Sequence, residues 1–295
     1  MAQHHLLPLI LALILLIRPS SSSSDETPAL FTDPTQILFS GQNLTDGVLT
    51  LSLYSDCRLI LYKVGSLVLD FGTSTTSTHC GMLVSDEGQL LLIPDSERTP
   101  TQTIGRITNS ANYALLFLNN KLGLFGPAIW NNGVRLPTLS ISHELTLNHK
   151  KLKAGSADNF LVSGDVVTGS ANGDVVIARN GDVSTVITSS CKLIVRNDTS
   201  GESIWQTRPT SAAPVECWLR LTYNGMLLLE GRNGSGLFTQ WTGGYEAREG
   251  TYVCLLRYFG RITIYRLKTW LYDGSSSAAA AAPAVVAKKI KMVTA

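Results

Sequence analysis

The chain has 295 residues, enough for two domains that each bury a core, and only 16% of them are charged. Scarce charge with abundant glycine, serine, threonine and asparagine argues against long solvated helices and predicts short strands joined by turns. Setting aside Arg18, Lys288, Lys289 and Lys291 near the chain ends turns the formal charge of +2 into about −2, which removes the electrostatic case for nucleic acid or acidic lipid as a partner.

In chain order, an apolar run from Leu6 to Ile17 leads into a serine-rich tract. That pattern predicts a cleaved secretory signal peptide over residues 1–24, too short to read as a membrane span. A first domain is expected over residues 30–132, where ILFSGQ, LSLYSDCRLILY, SLVLDFGT, CGMLVSDEGQLLLI and NYALLFLNNKLGLFGPAIW alternate with turn clusters. In the second of these, Tyr54, Asp56, Arg58, Ile60 and Tyr62 are two apart. On one extended strand they share a face, opposite Cys57, Leu59 and Leu61. Asp56 and Arg58 are then near enough to form a weak ion pair.

Residues 133–157, with Pro137, Lys150, Lys151 and Lys153, read as a linker, either a solvated connection or a point where a precursor is cut. The pattern then restarts over residues 158–273: FLVSGD echoes ILFSGQ, SSCKLIV echoes SDCRLIL, ECWLRLTYNGMLLLE echoes HCGMLVSDEGQLLLI, and GTYVCLLRYFGRITIY echoes NYALLFLNNKLGLFG. Four echoes in one order mean an internal duplication. Each half holds three versions of one unit, which predicts threefold pseudo-symmetry around a closed core. Residues 274–295 are an Ala- and Lys-rich tail.

Cys57 and Cys80, 23 apart, and Cys191 and Cys217, 26 apart, are expected to form one disulfide per domain. Cys254 is left as a buried thiol, its flanks being apolar. Asn43, Asn197 and Asn233 head glycosylation sequons, of which Asn43, beside a glycine-rich turn, is favoured. Catalysis finds no support. Beyond the signal region histidine occurs only at His79, His143 and His149, and no metal-binding, phosphate-binding or nucleophile motif is present. Asp86 and Glu87 are adjacent in a turn-like setting, where side chains diverge, so they make no glycosidase pair. No catalytic residue, metal or cofactor is predicted.

The order of SGQ, DCRLILY from Asp56, Cys80, EGQLLLI from Glu87 and NYALL…LFGPAIW from Asn112, repeated as CKLIV, SIWQT, CWL and YVCLL…IYR, resembles the bulb-type mannose-binding lectins of monocot plants, the snowdrop-agglutinin family, in their two-domain precursor form. The resemblance covers about residues 37–130 and 160–273. It implies an all-β fold of two tandem type II β-prisms, each of three four-stranded antiparallel sheets, with a sugar site on every sheet. It also implies core tryptophans, here Trp130, Trp205, Trp241 and Trp270, with Leu69 where the first unit would carry one. The family's sugar signature is Q-x-D-x-N-x-V-x-Y, in which amide, carboxylate and phenol groups pair with sugar hydroxyls.

Matched onto this chain, the first site reads Tyr54, Asp56, Arg58, Ile60 and Tyr62, the best of six. The second reads Ser85, Glu87, Gln89, Leu91 and Ile93; the third, Phe117, Asn119, Lys121, Gly123 and Phe125. In the second half the sites read Thr188, Ser190, Lys192, Ile194 and Arg196; Thr222, Asn224, Met226, Leu228 and Glu230; and Arg257, Phe259, Arg261, Thr263 and Tyr265. All six are degenerate. The carbohydrate-binding residues expected from the resemblance are Asp56, Ile60 and Tyr62, with Glu87 and Gln89.

The resemblance therefore implies a lectin of weak or altered specificity in the secretory pathway, extracellular or vacuolar, with mannose-type glycans or glycoproteins as partners. Nucleic acid, and membrane after signal cleavage, are not expected partners; the assembly is expected to be a homodimer or a heterodimer of the two halves. The competing reading is a storage, defence or protein-interaction protein that has lost its sugar sites.

Overall fold

The computed structural model describes residues 26–27, 29–32, 37–94, 100–135, 160–170, 172–180, 182–208 and 216–274. The expected signal segment, the linker beyond residue 135 with its lysines, His143 and His149, and the tail after Gly274 lie outside the described residues.

Strands account for nearly all regular structure among these residues. The first half contains β1 (Glu26–Thr27), β2 (Ala29–Phe31), β3 (Ile37–Phe39), β4 (Asn43–Thr45), β5 (Leu49–Leu53), β6 (Leu59–Lys63), β7 (Ser66–Asp70), β8 (Cys80–Val84), β9 (Leu90–Pro94), β10 (Gln102–Ile104), β11 (Ala114–Leu118) and β12 (Lys121–Asn131). The second half contains β13 (Phe160–Val162), β14 (Val166–Thr168), β15 (Val175–Asn180), β16 (Val183–Ile187), β17 (Leu193–Asn197), β18 (Ser203–Gln206), β19 (Glu216–Leu221), β20 (Leu227–Asn233), β21 (Gly236–Gly243), β22 (Tyr252–Leu256) and β23 (Ile262–Tyr272). Period-two burial explains them. In β5, Leu49, Leu51 and Leu53 are buried while Thr50 and Ser52 are half-exposed, so one face is core and the other meets water.

These strands make two tandem β-prisms. In the first, β4-β5-β6-β7 forms one sheet, extended by β1 running parallel to β4, and β10-β9-β8-β3 forms the second. In the second prism the corresponding sheets are β15-β16-β17-β18 and β14-β19-β20-β21. The third sheets are not separate, as the repeat pattern led one to expect. They merge into one six-stranded sheet, β13-β22-β23-β12-β11-β2, through antiparallel pairing of the two 11-residue strands β12 and β23. Each prism thus has three strands of its own in this sheet and borrows the fourth from its partner.

Burial shows how far the exchange goes. Leu271 and Tyr272, at the end of β23, lie in the first core with Leu115, Phe117 and Leu122. Ile129 and Trp130, at the end of β12, pack against the second core. Trp130 meets Trp241 edge-on at 5.8 Å, and Trp241 meets Trp205 at 5.6 Å. The tryptophan set of the second prism is therefore completed by a residue of the first half. The first prism is poorer: strand register sets Leu69 and Gln102 where the second prism has Trp205 and Trp241. Trp270, donated by β23, packs edge-on to Phe125 at 5.8 Å.

A third buried cluster lies on the opposite side of the six-stranded sheet, including Ala29, Phe31, Ala114, Leu116, Phe125, Val253, Leu255 and Tyr265. Phe31 and Tyr265 have ring centroids 6.4 Å apart although two strands stand between β2 and β23. Three strand spacings of a flat sheet would separate those strands by about 14 Å. The sheet is therefore bent, at the register shifts between β12 and β23, and the outward faces of the two third sheets pack on each other.

Both disulfides are formed, Cys57 to Cys80 and Cys191 to Cys217. Each ties the first sheet's hairpin turn to the first long strand of the second sheet and stabilises its prism by roughly 3 kcal/mol through chain entropy. Cys254 is buried and unbonded, and burial pushes its thiol up to about 12. Iodoacetamide at pH 8 should therefore leave Cys254 unmodified in the native protein and label it fully in denaturant, as read by mass spectrometry. Trp130→Ala should destabilise the second prism by about 3 kcal/mol, seen as earlier loss of its tryptophan fluorescence on heating, although residue 130 belongs to the first half of the chain.

Candidate functional site

Five of the six units turn between two strands in the same way. Tyr54 donates its N–H to the Arg58 carbonyl and Cys57 to the Tyr54 carbonyl, and the same pair of bonds recurs around Gly88, Cys191, Gly225 and Gly260. The residue completing each of these turns is left-handed, with φ of 62° at Cys57 and 57° at Cys191. This corrects the expectation of one extended strand from Tyr54 to Tyr62. The chain reverses at Ser55–Cys57, Asp56 lies in the turn, and only Ile60 and Tyr62 are on β6. Tyr54, Arg58, Ile60 and Tyr62 still share a face, because β5 and β6 pair Ser52 with Ile60 and Thr50 with Tyr62.

On that face the Tyr54 and Tyr62 hydroxyls are 2.7 Å apart, closing across the row of Ser52 and Ile60. The Tyr54 hydroxyl holds the Tyr62 phenol above its ordinary value. Asp56 Oδ1 accepts the Arg58 backbone N–H at 3.2 Å, and its other carboxylate oxygen is unengaged among the described residues. The expected Asp56–Arg58 ion pair does not form. Instead the Arg58 guanidinium lies 5.2 Å from the Tyr54 ring centre, where a planar cation meets the negative face of the aromatic system. Ile60 is 5% exposed. The face presents two phenols and a guanidinium with little apolar surface between them, and the Asp56 carboxylate lies in the turn at its end.

At each of the other five motifs, matched side chains are engaged or buried by the protein itself. At the second, Glu87 is exposed, but Gln89 is 8% exposed and spends its amide on the Gly105 carbonyl at 3.1 Å. Lys268, delivered by the exchanged strand, donates to the adjacent Gly88 carbonyl at 2.5 Å. At the third, the hairpin is one residue shorter: Leu118 pairs with Lys121 across Asn119 and Asn120. Phe117 therefore belongs to the first core, not to the site face as its motif position led one to expect, and Leu118 stands opposite Lys121. At the sixth, Tyr265 is 1% exposed and Arg257 2%, the latter 3.9 Å from the Phe31 ring centre. Those side chains are part of the contact between the prisms.

The fourth and fifth faces are filled by ion pairs. Arg196, in the tyrosine position, reaches Asp174 at 3.3 Å and Asp198 at 3.6 Å. Glu230, also in that position, accepts from Arg220 Nε at 2.5 Å, from Arg220 Nη2 at 3.0 Å and from Trp218 Nε1 at 3.1 Å. Arg220 holds the Glu230 carboxyl below the ordinary glutamate range. This clamp was missed in sequence, yet it was findable: turn Asn224–Gly225 pairs Trp218 directly with Glu230 and sets Arg220 on the same face. Also missed was a groove beside Tyr54 formed with Ser52, Thr78 and His79, which no spacing rule connects. Among the described residues no cluster of histidine, cysteine or carboxylates could hold a metal, and no helix is long and apolar enough to cross a membrane.

No family model matches the chain. Mannose-specific lectin 1 of Colocasia esculenta is 26% identical over 265 residues, covering 90% of this chain and 90% of that protein. The chain is a homologue of the monocot mannose-specific lectins. Mannose-specific lectin 2 of the same plant is 26% identical over 242 residues, covering 80% of this chain and 84% of that protein. In structure, the fetuin-binding two-domain agglutinin of Scilla campanulata superposes with a TM-score of 0.62 at 19% identity, covering 83% of this chain and 99% of that one. That likeness establishes the two-domain fold. This lectin homologue keeps the two-domain scaffold.

The Glu230 clamp gives a pH-dependent prediction. A carboxyl held below its ordinary range contributes stability above the unfolded value of about 4.3, and that stability is lost as pH falls through the lower folded value. Glu230→Gln should cost about 1–2 kcal/mol at pH 7, the Arg220 side chain being partly solvated. In urea titrations its difference from the natural chain should vanish towards pH 3.

Proposed function

We propose that this protein is a non-enzymatic lectin that binds mannose-type glycans weakly, through the first-prism face carrying Tyr54, Asp56 and Tyr62. The observation that carries the reading is the free carboxylate oxygen of Asp56, in the turn of the hairpin that carries two accessible phenols, at the motif left open where the others are engaged by ion pairs, interdomain packing or the Gln89 amide. Homology to mannose-specific lectins supports the ligand class. Weakness follows from chemistry. The two amides of the signature are replaced by Tyr54 and Arg58, and each lost hydrogen bond removes about 0.5–1.5 kcal/mol, so two remove roughly fivefold to 150-fold in affinity. A sugar must also share the Tyr54–Tyr62 hydroxyl contact.

Two disulfides suit an oxidising compartment, which supports the secretory pathway, with an extracellular or vacuolar destination. Glu87 and Gln89 are not assigned to the site, because the Gln89 amide is already engaged. The Tyr54–Tyr62 contact, by satisfying the very hydroxyls a sugar would use, favours the second reading of a storage, defence or protein-interaction protein.

A glycan array and mannose-affinity chromatography separate the two. Retention on mannose that falls at least tenfold (about 1.4 kcal/mol) in Asp56→Ala is the expected result. No array signal and no retention would sink the lectin reading; binding untouched by Asp56→Ala would move the site elsewhere.

A further inference from the structure

Cys57, directly after Asp56, is bonded to Cys80, directly after His79. This cross-link brings the loop of Thr78 and His79 beside the end of β5, and a groove of about 550 Å³ lies between them, lined by Ser40, Asn43, Ser52, Tyr54, Thr78 and His79. Its size falls within the roughly 300–1,000 Å³ usual for small-ligand sites. Only Tyr54 belongs to the sugar signature, and its ring is the wall shared by the groove and the face of Tyr62.

The lining is uncharged hydroxyl, amide and imidazole with one phenol ring, a mixture of donors and acceptors suited to a polyol. Much of it is unspent. Asn43 and Ser52 oppose each other on β4 and β5, and neither side chain has a hydrogen-bond partner among the described residues. His79 Nδ1 lies 3.2 Å from Thr78 Oγ1, which leaves Nε2 without a partner among the same residues. Ser40 Oγ accepts only a long bond, 3.4 Å, from the Cys80 N–H.

We propose that this groove is a second sugar subsite, holding the adjoining residue of an uncharged oligosaccharide whose terminal residue lies at Asp56 and Tyr62. The proposal rests on the reading of that face as a sugar site. It assigns recognition of glycan length to His79 and Asn43, residues outside the signature. A glycan attached at the Asn43 sequon would fill the same groove, so the test uses the full chain produced without N-glycosylation.

Methyl α-mannoside and an α-linked mannotriose are titrated, by ligand-observed NMR, into the natural chain and into His79→Ala and Asn43→Val. The first substitution is on an exposed loop; the second suits a strand. The triose is expected to bind roughly tenfold more weakly to each variant, the scale of one to two lost hydrogen bonds, with monosaccharide affinity unchanged within about twofold. Unchanged triose affinity, or equal losses for both sugars, would overturn the subsite while leaving the Asp56 site standing. Failure of the natural chain to bind either sugar would overturn both.

Discussion

The pairing of β12 with β23 is the constraint on which the rest of this molecule depends. Each prism needs a fourth strand for its third sheet and an aromatic to close its axis, and each takes both from the other half of the chain. Neither half therefore carries all of its own core: Trp130 completes the second and Leu271 and Tyr272 complete the first. A unit that cannot bury its apolar face alone is stabilised by its neighbour, the general logic of repeat proteins, here made reciprocal.

That pairing also allocates the surface. Bending of the shared sheet folds the outward faces of the two third sheets together and buries Phe31, Phe125 and Tyr265 between them. Two of six motif faces are lost to packing rather than to substitution alone. Two more are closed by electrostatics, because Arg196 and Glu230 occupy tyrosine positions and draw opposite charges from the same sheet. At the second face an amide serves the backbone of a neighbouring strand. The first prism's opening hairpin is left accessible, and the disulfide there sets a polar groove beside it.

Much of the fold was legible from local pattern. Alternation of leucine with threonine and serine marks β5 as a half-buried strand, and the four ordered echoes mark the duplication. The two cysteine pairs show in their equivalent positions within the two repeats. The site was less legible. Even spacing from Tyr54 to Tyr62 imitates a strand, but the left-handed residue at Cys57 reverses the chain inside it. Phe117 was set one position off, because deletion of a single turn residue flips the side chain to the opposite face.

What the sequence determined by itself is the identity of the unit, its sixfold recurrence and its disulfides, because these arise from periodicity and turn chemistry acting over about ten residues. What only the tertiary structure decided is which copies of the unit remain open. Burial of Tyr265, the clamp on Glu230 and the placing of His79 and Tyr54 on one groove all depend on strands brought together from far apart in the chain or across a hairpin. The same Asp and Tyr of the opening hairpin are thus a remnant by motif count and an accessible face by geometry, since exposure belongs to the assembled sheets rather than to any one of them.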